Sequence, residues 1–296
     1  MSNVQVVKKG IARPVVTVMA PNIARGWERA IVACWEHGAL IPTQYDQKGD
    51  PNSRDIRLQL IVQRPMSEPR IHRAIPTGIE ELEEYRLEVV RGIHNYWINP
   101  AEGKWEYTYN ERLKAYVVPG IESPLDQMGY IIEALVDAPH TRRAQAVIWQ
   151  AWQDAGIHDP ACLQRLWCRV FKDKLVMDID IRSNDGFKAG LMNMYAFTDL
   201  QREIAEAVSA RLGRRIRVGE YVHNANSFHI YGSDYEQFQA FLETLKKRRQ
   251  FADRTYDTAD VQDLIDEARL KIAFAIGWEA ITGEKGLKPK TIQVGF

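Results

Sequence analysis

The sequence predicts a fold of the α+β (mixed α/β) class. Strand-like and helix-like segments are intermixed along its 296 residues, without the strict strand–helix–strand alternation of a parallel α/β protein. The clearest β signal is residues 163–183, where two runs of branched and aromatic residues flank a tight polar turn. A long amphipathic helix is predicted soon afterwards, at 194–213. A chain of this length can bury a sizeable core.

The first half of the chain is predicted to contain helices, strands and one polar loop. Helical spacing of apolar residues marks the helices, and short alternating or branched runs mark the strands. In chain order these elements are a helix at 23–38, a turn-rich loop at 45–55, a strand at 56–65, a helix at 77–97 ending near Gly92, a helix at 124–137 and a strand at about 143–150. Cys34 lies on the apolar stripe of the first helix, so we expect it in the core.

The second half begins with the predicted hairpin, which turns at Lys172-Asp173-Lys174. Gly213 closes the long helix that follows it. The segment 217–231 returns to β structure, and 233–249 is predicted to be a further helix. The tail from about residue 285 ends in apolar residues suited to packing against another surface.

Composition narrows the class of protein. Lysine plus arginine equals aspartate plus glutamate, 39 each, so no global positive field marks the chain as a nucleic-acid binder. The three cysteines cannot form a closed disulfide framework, which favours a reducing, cytoplasmic setting. The first residues lack the apolar core of a signal peptide, and no uncharged run is long enough to cross a bilayer, so we expect no membrane partner.

Unusual polar residues are concentrated between 140 and 231. Two adjacent arginines, Arg142 and Arg143, precede one predicted strand, and Arg182 and Ser183 end another. Guanidinium groups suit a phosphate because two parallel donors match two oxygens, and a hydroxyl can complete the shell. His223 and His229 have no matching cysteine or carboxylate motif, so we predict no metal site.

Cys162, in the stretch "HDPACLQRLW", is the candidate nucleophile. Cysteine is among the most buried residue types, so its local context alone fits a core position. Nearby positive charge would stabilise the thiolate, which is the form that attacks. Arg142, Arg143 and Arg182 can supply that charge if the fold brings them together. Both interpretations remain open from the residues alone.

Taken in order, these residues resemble the motifs of the thymidylate synthase superfamily, which includes thymidylate synthases and pyrimidine nucleotide hydroxymethylases. That family carries a paired arginine, a "PxC" nucleophile, "RSxD", an asparagine and "GDxxHxxxxxHxY". The matching residues here are Arg142-Arg143, Pro160-Ala161-Cys162, Arg182-Ser183-Asn184-Asp185, Asn193, and Gly219 to Tyr231 with His223 and His229. The intervals also match: 20 residues from Arg142 to Cys162, 20 from Cys162 to Arg182, and 11 from Arg182 to Asn193. The clear likeness spans about 140–235.

The resemblance implies a large mixed β-sheet flanked by helices and an obligate homodimer that pairs sheet to sheet. It also implies one domain over 1–296, with a divergent N-terminal extension of about 20 residues. Arg182 and Ser183 would hold the 5′-phosphate of a nucleotide. Arg142 and Arg143 would contact the phosphate bound by the neighbouring subunit, which makes the active sites shared.

The resemblance also implies the chemistry. Cys162 would attack C6 of a pyrimidine nucleotide, so that C5 can take a one-carbon unit from methylene-tetrahydrofolate. Tyr109, in "YNERL", would assist proton removal from C5, and Asp185 would bind the pterin. His229 and Tyr231 would bind the sugar 3′-hydroxyl.

Asn193 is the residue that bears on the base. Its amide offers a donor and an acceptor, which suits O4 and the ring N–H of uracil. Relatives that act on dCMP tend to carry aspartate at this position, so Asn193 favours a uracil nucleotide. A helix N-cap is the alternative structural role for Asn193, and the two roles are compatible.

Several positions depart from the family pattern. Leu163 stands where histidine usually follows the nucleophile, and Ile181 stands where glutamine usually precedes the arginine. The catalytic glutamate of the family has no clean equivalent; Glu84 and Glu88 both precede Gly92, and Glu84 is our candidate. Of the arginines near the N-terminal loop, Arg54 is the better candidate for a further phosphate ligand and Arg57 the other.

Three functions follow from these observations. The first is methylation of dUMP to dTMP. The second is hydroxymethylation of dUMP, dCMP or CMP, which requires water to reach the one-carbon adduct. The third is a nucleotide- or RNA-binding relative without catalysis, which the retention of Cys162 beside its arginines disfavours.

Overall fold

A large mixed sheet organises residues 3–283, the part of the chain that the computed structural model describes. Within that part, nine strands join the sheet and two short strands, β5 and β11, pair separately. The strands are β1 (Val4–Val7), β2 (Val15–Ala20), β3 (Ala39–Ile41), β4 (Ser53–Val62), β5 (Ile71–His72), β6 (Gln145–Val147), β7 (Leu163–Phe171), β8 (Lys174–Ile181), β9 (Asn184–Asp185), β10 (Arg217–Ile230) and β11 (Thr255–Tyr256). The main order is β1-β2-β4-β10-β8-β7-β6, with β3 added beside β4 and β9 beside β10.

Both parallel and antiparallel pairs occur in this sheet. The long central strand β10 runs antiparallel to β4 and parallel to β8, and β2 runs parallel to β4. The β7–β8 pair is the predicted hairpin, with Lys172 and Asp173 at positive φ in its turn. The predicted mixed α/β class is therefore confirmed.

Helices cover one face of the sheet. They are α1 (Ile23–His37), α2 (Ile79–Arg91), α3 (Tyr109–Lys114), α4 (Gln127–Asp137), α5 (Ala151–Asp154), α6 (Gly190–Leu212), α7 (Tyr235–Lys247) and α8 (Gln262–Thr282). Helices α1 and α6 pack on the sheet, and α2 packs on α6. Cys34 on α1 is fully buried, as predicted. None of the helices within residues 3–283 is both long and apolar enough to span a membrane.

The two faces of the sheet differ in polarity because side chains alternate along each strand. Leu58, Leu60, Met177 and Ile179 point to the helices and are buried. The intervening residues are exposed or half-buried, and they include Thr17, Arg57, Gln59, Asp180 and Asn224. One face thus forms the core, and the other presents mostly polar groups.

The ends of several elements differ from the sequence prediction. The long helix begins at Gly190 rather than near residue 194, and the strand expected at 143–150 is only Gln145–Val147. Strands β1 and β2, within the expected N-terminal extension, extend the sheet beyond β4. The tail from about residue 285 lies outside the described residues, and the assignment of 1–296 to one domain stays a prediction.

A buried ion pair joins the helix that carries Tyr109 to the segment that leads to Cys162. Arg112 on α3 donates to both carboxylate oxygens of Asp154 on α5, at 3.1 and 3.2 Å, and to the carbonyl of Ile148 at 3.1 Å. Both side chains are almost completely buried. Removing one partner of such a pair leaves an uncompensated charge in the interior.

We therefore expect Arg112→Met to lower the free energy of unfolding by about 3–5 kcal/mol. Arg211 is a matched control because it also makes a two-pronged contact with a carboxylate, Glu133, but both groups are exposed. Arg211→Met should change stability by about 1 kcal/mol or less. Urea unfolding of the wild type and the two variants measures these free energies. An equal decrease in the two variants would show that the buried ion pair stabilises the fold no more than the exposed one.

Candidate active site

The register of the β7–β8 hairpin brings Cys162 next to Arg182. Leu163 pairs with Ile181, so the residues just outside the pair are neighbours across the two strands. The backbone N–H of Arg182 donates to the carbonyl of Cys162 at 2.8 Å. The interval of 20 residues between them is therefore the length of a hairpin whose ends meet.

Strand β10 places His229 at the same edge of the sheet, and Tyr231 directly follows this strand. Asp185 in β9 pairs with His229, and Ser227 N–H donates to the carbonyl of Arg182 at 3.2 Å. Consequently the segment after β8 and the end of β10 lie side by side.

These residues line a cavity of about 340 Å³. Eight of the residues predicted for the site lie on its wall: Tyr109, Cys162, Arg182, Ser183, Asp185, Asn193, His229 and Tyr231. The wall also includes Tyr45, Tyr85, Asp159, Asn184, Ala189 and Met192. A volume of this size accommodates a small organic molecule.

The Cys162 thiol is half-buried in the wall of this cavity. Burial raises its pKa, the positive charge of Arg182 acts in the opposite direction, and Asp159 adds to the rise. Arg182 thus favours the thiolate, but burial outweighs its effect on the pKa. The guanidinium is fixed by hydrogen bonds to the carbonyls of Ala161 and Pro160, and it lies 3.8 Å from Asp159.

Asn193 lies in the first turn of α6 and receives a hydrogen bond from a tyrosine. The Tyr85 hydroxyl donates to Asn193 Oδ1 at 2.5 Å. The alternative role as an N-cap is wrong, because α6 begins three residues earlier and Ala189 occupies the cap position. The amide nitrogen Nδ2 has no hydrogen-bond partner within residues 3–283. Its donors are available to a molecule in the cavity.

Tyr109 is held next to the nucleophile by the backbone. Its hydroxyl accepts the N–H of Leu163 at 3.2 Å. Burial raises its pKa well above the usual value, so the phenol stays protonated at neutral pH. Tyr109 is therefore placed to donate a proton or to orient a water, rather than to act as a ready-made base.

His229 presents a buried acceptor. The Ser227 hydroxyl donates to Asp55, so its oxygen accepts from His229 Nδ1, 3.2 Å away. Burial lowers the pKa of His229, which keeps the ring neutral. This tautomer leaves a lone pair on Nε2, an atom that is buried and has no partner in residues 3–283. Tyr231 packs edge-on against this ring, 4.6 Å between centroids.

Asp185 is half-buried in the wall of the cavity. Burial raises its pKa to about 6, and two backbone N–H groups, those of Phe187 and Lys188, donate to its Oδ1 at 3.0 Å. Lys188 itself is about half exposed and forms an ion pair with Asp234. Its side chain thus serves a local ion pair.

Four predicted residues lie away from this cavity. Arg142 and Arg143 are exposed and line a separate cavity beside His140 and Thr141. The guanidinium of Arg54 stacks over the Trp35 ring at 4.5 Å. Glu84 faces His94, at 3.6 Å, because adjacent helical residues point about 100° apart and Tyr85 is the one turned to the cavity. The roles of these four residues stay predictions.

Comparison with known proteins agrees with the motifs. A family model described as thymidylate synthase matches residues 77–271, more than half of the chain. The chain belongs to the thymidylate synthase family.

Curated relatives of this thymidylate synthase family member carry the same description. A "putative thymidylate synthase" of Methanosarcina mazei is 27% identical over 222 residues, which are 75% of this chain and 92% of the relative. One of Methanocaldococcus jannaschii is 26% identical over 219 residues, 72% and 90% of the two chains. A thymidylate synthase of Bacillus licheniformis is 27% identical over 143 residues, 48% of each chain.

Within this thymidylate synthase fold a second cavity, of about 380 Å³, adjoins the first. The two share Tyr85, Tyr109 and Asp159. Its other lining residues are Glu88, Lys104, Trp105, Glu106, Tyr107 and Thr108. Glu88 therefore reaches this cavity, and its carboxylate is 3.0 Å from His94 Nδ1. Among residues 3–283, no group of three or more metal-ligating side chains could hold a metal ion.

Sequence reasoning missed Tyr85 and Tyr45. Tyr85 lies among five glutamates on α2, which drew attention to the carboxylates. Its position three residues before Glu88 would have placed both on one helix face. Tyr45 comes from the polar loop, for which no periodic pattern predicts a direction.

The opposing effects of burial and Arg182 on Cys162 predict a pH profile. We expect alkylation of Cys162 by iodoacetamide to follow a thiolate pKa above the usual cysteine value, and Arg182→Gln to move the midpoint to still higher pH. At pH 8 the variant should react severalfold more slowly, because tenfold less thiolate accompanies each unit of pKa rise. Cys34 and Cys168 are buried and should not interfere.

Arg211→Gln, at the exposed pair already described, is the control and should leave the profile unchanged. Mass spectrometry of tryptic peptides against pH gives the rate at each cysteine. An identical midpoint in wild type and Arg182→Gln would mean that Arg182 does not act on the thiol.

Proposed function

We propose that the protein transfers a one-carbon unit from methylene-tetrahydrofolate to C5 of a pyrimidine nucleoside monophosphate, converting dUMP to dTMP. The observation that carries this proposal is the position of Cys162 in the wall of one cavity together with cationic and hydroxyl groups, from Arg182 and Ser183, and amide and phenol groups, from Asn193 and Tyr109. A nucleoside monophosphate has the complementary polarity, with a dianion at one end and a base of hydrogen-bonding groups at the other.

The contacts of His229 support the sugar assignment. Its Nε2 lone pair is a buried acceptor, and a buried acceptor without a partner is costly unless a ligand satisfies it. A sugar hydroxyl would supply such a donor. Tyr231 lies beside the His229 ring and can contact the same sugar. The phosphate would then meet the Arg182 guanidinium and the Ser183 hydroxyl at the other side.

The covalent step starts at Cys162. Its thiolate sulfur forms a bond to C6, and the electron pair of the C5–C6 double bond moves to C5 and O4 as an enolate. The amide N–H of Asn193 stabilises the charge that develops on O4. After C5 gains the one-carbon unit, a base oriented by Tyr109 would take the C5 proton as the bond between that unit and the folate nitrogen breaks. Hydride transfer from the folate to the one-carbon unit would then accompany cleavage of the C6–S bond, which restores the C5–C6 double bond and the thiolate.

The second cavity fits the folate. Its wall carries four aromatic side chains, Tyr85, Trp105, Tyr107 and Tyr109, suited to a flat pterin and an aromatic ring, while Lys104 offers a cation for a carboxylate. Asp185, on the wall of the first cavity, is our candidate for hydrogen bonding to the pterin. When bound, methylene-tetrahydrofolate supplies both the one-carbon unit and the hydride that reduces it to methyl.

Enclosure by aromatic side chains favours methylation over hydroxymethylation. Tyr85, Tyr107 and Tyr109 are half-buried, and burial raises the pKa of each phenol. Hydroxymethylation needs a water at the one-carbon adduct, and a folate bound against these aromatic side chains would restrict its access.

A homodimer is part of the proposal. The polar face of the sheet is available for a second copy, and Arg142 and Arg143 are exposed with their own cavity. In a sheet-to-sheet dimer these arginines would complete the phosphate site of the partner.

Incubation with dUMP and methylene-tetrahydrofolate, followed by mass spectrometry of the nucleotide, tests the activity. We expect a methyl product with the wild type and a loss of at least about a thousandfold in rate with Cys162→Ser, because a serine hydroxyl is a far weaker nucleophile. A product heavier by one further oxygen atom identifies the hydroxymethylase. No product from dUMP, dCMP or CMP, despite nucleotide binding, identifies a binding protein.

Mixing two inactive variants tests the shared site. Cys162→Ser and Arg142→Ala chains should recover part of the wild-type activity after subunit exchange, because one of the two sites in a mixed dimer contains both intact residues. The single variants incubated alone are the controls. Absence of recovery, with exchange verified by native mass spectrometry, would show that Arg142 acts within its own subunit.

A further inference from the structure

Tyr85 occupies an unusual place between the two cavities. It lies on the wall of both, and its hydroxyl donates to Asn193 Oδ1 at 2.5 Å. That hydrogen bond joins α2 to the first turn of α6. Neither the sequence motifs nor the family likeness assigns Tyr85 a role.

The Tyr85 hydroxyl determines whether Oδ1 or Nδ2 of the Asn193 amide faces it. An amide has a carbonyl end that only accepts and a nitrogen end that only donates. The phenol proton must be given to the carbonyl end. A flipped amide would place Nδ2 beside the half-buried phenol, and the phenol proton would lose Oδ1 of Asn193, its acceptor within residues 3–283.

The fixed amide therefore offers a donor to the cavity. Nδ2 of Asn193 has no partner in the described chain, and the second lone pair of Oδ1 remains open. Uracil has an acceptor at position 4 and a donor at N3, which match these two groups. Cytosine has an amino donor at position 4, which would face the Nδ2 donor.

We propose that Tyr85 is the positioning residue that selects uracil over cytosine by locking the orientation of the Asn193 amide. The inference rests on the proposed function, since it requires a pyrimidine base beside Asn193. The selection has a repulsive part: cytosine either meets a donor with a donor or forces a flip that breaks the Tyr85 hydrogen bond.

Nucleotide binding to the full chain, measured by calorimetry without folate, tests this role. In wild type we expect dUMP to bind most tightly, the pyrimidin-2-one nucleotide with only hydrogen at position 4 to be intermediate, and dCMP to be weakest. A freely flipping amide would reverse the last two, because it could accept from the cytosine amino group. That reversal would overturn the proposal with no variant needed.

Tyr85→Phe removes only the hydroxyl. We expect the ratio of dUMP to dCMP affinity to narrow by about tenfold, with dCMP gaining on the pyrimidin-2-one nucleotide. Tyr116→Phe is the matched control: it removes another hydrogen-bonded tyrosine hydroxyl, which donates to the Trp149 carbonyl at 2.8 Å, and it should leave the ratio unchanged.

The outcomes separate the two levels of inference. Binding of dUMP with the same ratio in wild type and folded Tyr85→Phe overturns the role of Tyr85 and leaves the proposed function standing. Failure of wild type to bind any of the three nucleotides removes the proposed function and the role of Tyr85 together. Should Tyr85→Phe not fold, the wild-type order of the three ligands decides.

Discussion

The backbone hydrogen bond from Arg182 N–H to the Cys162 carbonyl, at 2.8 Å, is the contact on which the rest of the site depends. It extends the β7–β8 ladder by one step, so the register of the hairpin sets the distance between nucleophile and guanidinium. A slip of one residue would turn every side chain of one strand to the opposite face. Because β8 also pairs with β10, the same register carries through to Asp185 and His229.

Burial disfavours the charged forms of the ionisable side chains in the site. The thiol of Cys162 is disfavoured as an anion by burial and favoured by Arg182, while His229 is held neutral by burial. Asp185, with its pKa raised to about 6, is a carboxyl group that loses its charge more readily than an exposed one. The result is a cavity whose wall presents donors and acceptors held in place by hydrogen bonds within the protein.

Sequence reasoning reached those parts of the site that depend on strand register. The 20-residue interval between Cys162 and Arg182 is enough to predict that the two residues are neighbours, because a tight hairpin of that length brings its ends together. Asn193 was predicted to contact the base, and only its alternative role as a helix N-cap is wrong, because one residue's identity does not locate a helix start. Tyr85 was missed and Glu84 favoured because the cavity-facing side of α2 depends on its rotation against α6. Arg142, Arg143 and Arg54 could be found as cationic residues, but only three-dimensional packing decides where each guanidinium points.

The wall shared by the two cavities has a thermodynamic consequence. Tyr85, Tyr109 and Asp159 each face both spaces, so their positions cannot adjust to one ligand without altering the surface offered to the other. If a ligand in one cavity changes the affinity of the other cavity by some factor, a ligand in the other cavity changes the affinity of the first by the same factor. This holds because the free energy of the doubly occupied state does not depend on the order of binding. The two cavities thus belong to one coupled equilibrium, with three side chains as its common boundary.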